Sequence, residues 1–372
     1  DIKPWREMKN YAKSSTIRFF RTSQLDYNNE YVKLYYKLAL MNSLLSRHVG
    51  KYVLKEIKPE YFFTSHGIYS TWAPAFQFLK NNGIKTIVYS ATHDHSLNPQ
   101  EIFTSSNYSV YFLSSSKFWL KYKNTPVTEE MKKTVKVYFQ SRQQYATIDM
   151  KLLYSGKRSS FKIDKDDGYK YHISMFPNVI WDGNISARHK VFKDYRDWIF
   201  STIDFVKERK DIMLYIKSHP SEVTVLKGSP RIVDIINNTI NLKEIKNVHI
   251  IPPEININTY EFLSSGIDLG LVYDGYLAVE MPFLKIPTIM CVKGGYFAVE
   301  GGNFPITSKK QYFNYLGRID SLLKEFHQNY PKYYENIVRF TYWYIFKSAI
   351  KMPTSCKNNL FQTDLLQLKK TI

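Results

Sequence analysis

Apolar residues recur at three- and four-residue spacing from Tyr31 to Leu54, with few breakers before Lys58-Pro59, and the whole opening stretch to about residue 55 reads as helical. The texture then changes. Glu60 to Thr64 is a short apolar run that ends at Ser65-His66-Gly67, which predicts a buried strand and a tight turn. Ile68 to Asn82 is helix-like and closes on Gly83, and Ile84 to Ser90 is the next strand. Strand, helix, strand in this rhythm is the βαβ unit of a parallel sheet. Residues 100–160 are polar and mixed; within them Val127 to Tyr145 predicts one helix, with Thr128 as N-cap and Glu129-Glu130 in its first turn. The segment Lys157 to Gly168, dense in Lys, Ser and Asp, reads as an interdomain linker.

A second α/β rhythm begins at Tyr171. Strands are predicted at 171–176, 212–217, 248–251, 269–273 and 287–292, and helices at 194–209, 260–265 and 276–284. The tail from Tyr312 reads as helical. The pattern predicts an α/β protein with two doubly wound domains: 1–165, 166–330, and C-terminal helices 331–372 packing back on the first.

Composition narrows the function classes. The 372 residues are 44% hydrophobic, enough for two cores, so global disorder is excluded. Two cysteines, Cys291 and Cys356, form no CxxC or Cys/His cluster, which argues against a disulfide framework or a structural zinc and fits a reducing, cytoplasmic setting. No run of about 18 apolar residues suggests a membrane-spanning helix, and no targeting segment is visible. The formal charge of +19, from 52 Lys+Arg against 33 Asp+Glu, asks for an anionic partner such as phosphate or the inner face of a membrane. Thirty tyrosines and an excess of Lys over Arg also suit a compositional bias, which accounts for part of that charge. Nucleic acid is disfavoured, because the basic residues are dispersed and no RNP strand, KH loop, zinc finger or helix-turn-helix signature is present.

Ligands of open α/β sheets gather beyond the C-terminal ends of the strands. Three clusters fall there. Lys217-Ser218-His219-Pro220-Ser221-Glu222 follows a strand and offers two donors to a phosphate. Tyr273-Asp274-Gly275-Tyr276, leading to Glu280, sits at a strand-to-helix junction suited to phosphate and ribose. Gly294-Gly295-Tyr296 and Gly301-Gly302 read as a Gly-rich loop without GxGxxG or P-loop spacing, so NAD and ATP readings lose support. In the first half, His66 and Asp94 follow predicted strands and are candidate general bases. His93-Asp94-His95 lacks a further clustered ligand, so no metal is expected. Each cluster also has an ordinary structural reading, as a capped helix or a surface loop.

Taken in order, these segments resemble the capsule-polysaccharide-biosynthesis group of GT-B glycosyltransferases. The likeness covers roughly 171–305. Met175-Phe176-Pro177-Asn178-Val179-Ile180-Trp181-Asp182 is similar to that group's fPNvxWD segment, Asp197-Trp198-Ile199 to its dWl, and Ile216 to Glu222 to its iRxHPxE. Thr259-Tyr260, Asp268, Glu280, Ile286-Pro287, Tyr296 and Gly301 fall at its later motif positions. The group has a Ser-Thr pair and a Gly before the Glu; here these read Gly275-Tyr276 and Ala278, with Asp274 just ahead. An added carboxylate beside a diphosphate is repulsive unless a basic neighbour screens it.

The resemblance implies a GT-B fold, two Rossmann-like domains facing a cleft, and an inverting, metal-independent transfer from a CMP-, UDP- or GDP-sugar. No cofactor is implied; the nucleotide-sugar is the substrate. The donor would be held by Asn178, Asp182, Lys217, His219, Ser221, Glu222, Gly275, Tyr276, Glu280 and Tyr296, with His66, Asp94 and His219 as catalytic candidates. The acceptor would be a glycan or lipid-linked chain, and contact with an anionic membrane would use part of the basic charge. Rival readings are an epimerase or polyol-phosphate transferase of the same architecture, and a catalytically degenerate scaffold.

Overall fold

A computed structural model describes residues 2–65, 67–91, 101–105, 117–144, 159, 161–185, 188–224, 228, 230–292, 295 and 297–351. The chain divides into two units: Asp1–Thr16, Tyr27–Lys151 and Val338–Ile372 form one, and Ile17–Asp26 with Leu152–Ile337 the other.

The opening residues are helical, as their spacing predicts: α1 is Ile2–Phe20 and α2 is Glu30–Tyr52. Asn29 caps α2 by accepting from the amides of Tyr31 and Val32. The helix loosens into a π-helical turn at Val53–Ile57 and stops where Lys58 turns left-handed (φ 49°), just before Pro59. Next come β1 (Tyr61–Ser65), α3 (Tyr69–Asn81), β2 (Lys85–Ala91) and β3 (Glu101–Ser105). Gly83, at φ 85°, supplies the left-handed residue that ends α3. β1 and β2 pair in parallel, which makes β1-α3-β2 the predicted crossover unit. α4 (Lys117–Tyr122) and α5 (Glu129–Gln143) follow, and Thr128 caps α5 through the Met131 amide.

The second unit is built on β4 (Tyr171–Phe176), all six residues of which are buried. After it come α6 (Tyr195–Lys207), β5 (Ile212–Lys217), α7 (Ile232–Asn237), β6 (Val248–Ile251), α8 (Thr259–Ser264), β7 (Leu269–Val272), α9 (Leu277–Phe283), β8 (Thr288–Met290) and β9 (Phe304–Pro305). All of the strand pairs are parallel, in the order β6-β5-β4-β7-β8-β9. Numbered from β4, this is 3-2-1-4-5-6, the order of a dinucleotide-type doubly wound sheet. The α/β class is therefore set by strand order and register. Asp194 caps α6, whose Trp198, Ile199, Ile203 and Val206 are buried. Trp198 Nε1 donates to the Tyr312 hydroxyl (3.1 Å), which also meets Thr202 (2.8 Å), so these three buried side chains satisfy one another.

Three readings of the sequence need revision. The segment read as a linker packs on the second unit from Phe161 onward. The Phe161 ring lies against Tyr215 and Phe262, and Lys165 pairs with Asp268 at 2.9 Å. Residues 100–160 hold β3, which runs antiparallel to β2 and makes the first sheet mixed. The tail is helical only in part. α10 (Lys309–Gly317), α11 (Ile319–Gln328) and α12 (Tyr330–Tyr342) lead through a π-helical turn to β10 (Ala349–Lys351). β10 pairs antiparallel with β3, giving the first sheet the order β1-β2-β3-β10. Its short backbone pairing leaves no long alternating run for the sequence to display.

Candidate functional site

In the 3-2-1-4-5-6 order the sheet's direction of winding reverses between β4 and β7, and ligands of such sheets gather beyond the C-terminal ends at that point. Those ends carry Asn178 and Asp274. The Asn178 carboxamide joins them: Nδ2 donates to the Asp274 carbonyl at 2.7 Å, and Oδ1 accepts from the Asp274 amide at 3.4 Å. One predicted residue thus fixes the separation of the two strand exits.

The added carboxylate at 274 has a counter-ion. Arg188 Nη2 donates to Asp274 Oδ2 at 2.9 Å, and Nη1 donates to the Gly183 carbonyl at 3.1 Å. Both side chains are buried, at 4% and 0% relative exposure, so the charges neutralise each other within the protein. Beside this pair, His189 bridges the Tyr273 hydroxyl (2.7 Å) and Asn184 Oδ1 (3.0 Å), while Asn184 Nδ2 donates to the Ile180 carbonyl. Arg188, His189 and Asn184 carry no spacing signal in the sequence. The only clue was indirect: a carboxylate at 274 required a nearby cation.

On the neighbouring strand, β5 ends at Lys217, itself buried, and a 3₁₀ turn covers Pro220–Glu222. His219 caps that turn, with Nδ1 accepting from the Ser221 amide at 3.2 Å. Although the residue keeps some exposure, its ring is enclosed. Burial, with the Lys217 charge second, pushes its pKa down to about 4. At neutral pH the ring is uncharged with Nδ1 occupied, so the donor it offers is Nε2–H. Glu222 is 2% exposed and accepts from the Ile232 amide (3.3 Å) at the start of α7. Burial raises its carboxyl pKa to about 8, opposed by that amide bond. Ser221 is buried in the same turn.

β7 leads through Gly275 and Tyr276 into α9, only seven residues long. The amides of Ala278, Val279 and Glu280 are already bonded to the carbonyls of Gly275 and Tyr276, so this helix start offers less to a phosphate than its position suggested. Glu280 is 3% exposed, and its Oε1 accepts from the Tyr260 hydroxyl at 2.6 Å, which fixes the carboxylate. A Cβ on Gly275 would meet only ordinary contact, Val272 at 3.6 Å, so protein packing does not dictate glycine there. The Tyr276 ring stands edge-on to Phe297 at 5.0 Å.

The other candidates are placed differently. Asp182 is half-exposed and pairs with Arg18 at 3.4 Å. Asp268, a motif position, lies at the far end of β7 and accepts from the His172 amide (2.8 Å), a structural duty. His66, Asp94 and Tyr296 lie outside the described residues. A cavity of about 670 Å³ opens where the strands begin, lined by Asp167, Lys207, Arg209 and Asn247 among others; none of the candidate residues lines it.

No protein-family model and no curated protein sequence matches the chain. Among solved structures it is similar to KpsC, a beta Kdo 2,4 transferase from Thermosulfurimonas dismutans. That likeness has 12% identity and TM-score 0.42, covering 68% of this chain and 74% of that one. It is also similar to a putative UDP-N-acetylglucosamine 2-epimerase from Listeria monocytogenes (13%, TM-score 0.33, 82% and 77% covered). A third is a UDP-GlcNAc 2-epimerase from Neisseria meningitidis bound to UDP-GlcNAc (12%, TM-score 0.30, 82% and 81% covered). With TM-scores below 0.5, these likenesses do not bear on activity, and the α/β architecture rests on strand order and register.

Proposed function

We propose that this chain is a GT-B-type glycosyltransferase that moves a sugar from a CMP-, UDP- or GDP-activated donor to a glycan or lipid-linked acceptor, with inversion and without a metal. The observation that carries the reading is the convergence at one sheet edge. Asn178, Lys217, His219 and Glu280 stand on the exits from β4, β5 and β7, on either side of the point where the winding reverses. Lys217 supplies positive charge to the departing nucleotide phosphate, and His219 donates one hydrogen bond from Nε2. Charge developing on the leaving oxygen is thereby stabilised by groups already in place. Glu280, held by Tyr260, accepts from the ribose hydroxyls. The Arg188–Asp274 pair supports the reading because it removes the repulsion that Asp274 alone would present to a diphosphate. The base that takes the acceptor's proton is sought at His66 and Asp94.

The test is a thermal-shift screen with CMP, UDP and GDP, repeated on His219→Ala and Glu280→Gln. A ligand at about 100 times its Kd adds about 2.7 kcal/mol of stability. One nucleotide should stabilise the wild type, and both variants should lose that response. The matching nucleotide-sugar should then release its nucleotide faster when an acceptor glycan is added. Isomerisation of UDP-GlcNAc without an acceptor would place the chain with the epimerases instead. No shift with any nucleotide at millimolar concentration would leave a scaffold.

A further inference from the structure

α2 is built inside out. The face it turns to α3 carries Val32, Ala39, Ser43, Ser46 and Gly50, all buried. The approach is close: a Cβ on Gly50 would sit 3.0 Å from Ala75 Cα, and Ser46 Oγ donates to the Thr71 carbonyl at 2.8 Å. The large apolar side chains lie on the other side. Leu34, Leu38, Met41, Leu45, Val49 and Tyr52, at spacings of three or four, form one exposed stripe, with Met41 at 65% and Leu45 at 61%. A stripe of this length on a folded chain marks an interaction surface.

Charge selects the occupant. Lys33, Lys37, Lys51 and Lys55 follow one flank of the stripe, and the only acids from residue 30 to 56 are Glu30 and Glu56. These two are matched to Lys33 and Lys55, at 2.7 and 3.0 Å. A second copy laid antiparallel on the stripe would set lysine flank against lysine flank. Laid parallel, it would set the lysines against Tyr35 and Asn42. Neither arrangement supplies carboxylates, and each copy carries +19. An anionic lipid surface answers both features, taking the apolar stripe among its acyl chains and the lysines among its headgroups. Among the described residues no helix is long and apolar enough to cross a membrane, so the contact is in-plane.

We infer that the outer face of α2 is a membrane-docking surface for anionic phospholipid. This does not depend on the reaction proposed above. The test is co-sedimentation of the full chain with extruded vesicles of phosphatidylglycerol and phosphatidylcholine, or of phosphatidylcholine alone, at low and high salt. The wild type should bind the anionic vesicles and release from them as salt rises. Met41→Glu/Leu45→Glu, both at exposed sites, should bind roughly tenfold or more weakly with unchanged circular dichroism. Each of Lys37→Gln and Lys51→Gln should weaken binding about fivefold. The inference is overturned if the wild type ignores anionic vesicles or if Met41→Glu/Leu45→Glu binds them like wild type. It is equally overturned if light scattering finds a wild-type dimer that this variant dissolves, since the stripe would then belong to a second copy.

Discussion

Helix α6 in the second unit turns Trp198, Ile199, Ile203 and Val206 inward, whereas α2 in the first turns its large apolar residues outward and its small ones in. Both helices show apolar residues at helical spacing, so both are predictable as helices. Spacing reveals the period but not which stripe faces the protein. In α6 the buried stripe is also the bulky one, and its contribution comes from apolar area removed from water. In α2 the inner stripe stabilises through close backbone approach, and the bulky stripe is left for another surface. The two units also treat charge differently. The second buries a complete ion pair at its strand exits, while the ion pairs along α2 are exposed and contribute little to stability.

The sharpest way to break this contrast is at Arg188. Arg188→Met strands the Asp274 carboxylate in the interior and should cost about 3–5 kcal/mol in urea unfolding. Arg188→Met/Asp274→Asn, which removes both charges, should recover most of that loss. If the single variant is as stable as the wild type, Asp274 is not held as a buried anion and the electrostatic account of the 274 loop fails.

A smaller effect separates the two faces of α2. Gly50→Leu must push α3 away and should cost roughly 1–3 kcal/mol. Met41→Glu, at an exposed site, should stay within about 0.5 kcal/mol of wild type. Equal costs by thermal unfolding would mean that the inner and outer faces have been assigned wrongly.

A further contrast is in pH. Glu222 has a folded pKa of about 8 against an ordinary 4.5, so the native state favours its protonated form. Stability from this group is complete below about 4.5 and is lost as pH rises through about 8. His219, at about 4 against 6.5, works in reverse, with its contribution present above 6.5 and lost as pH falls through about 4. In urea titrations, Glu222→Gln should flatten the alkaline arm and His219→Gln the acid arm. A wild-type profile unchanged by either substitution removes both groups from the account.

Much of the second unit was legible because its strands are short apolar runs bounded by turn residues, as in 212–217 before Ser218-His219-Pro220. The same turn residues pointed to the strand exits. Strand order could not be read, since it depends on which edges pair. Arg188 was hidden because its role lies in a contact 86 positions away. The neutral state of the His219 ring is not legible in the sequence, because burial, not residue type, decides its protonation. β3 and β10 went unseen because their pairing is made between backbones far apart in sequence.

That pairing orders events during synthesis. Everything assigned to the second unit has been made by Ile337, but the fourth strand of the first sheet is residues 349–351. A chain emerging from the ribosome therefore completes the later unit before the earlier one. Until the last strand arrives, the β3 edge stands open to any passing strand, and a truncation that spares every residue of the candidate site would still leave it so.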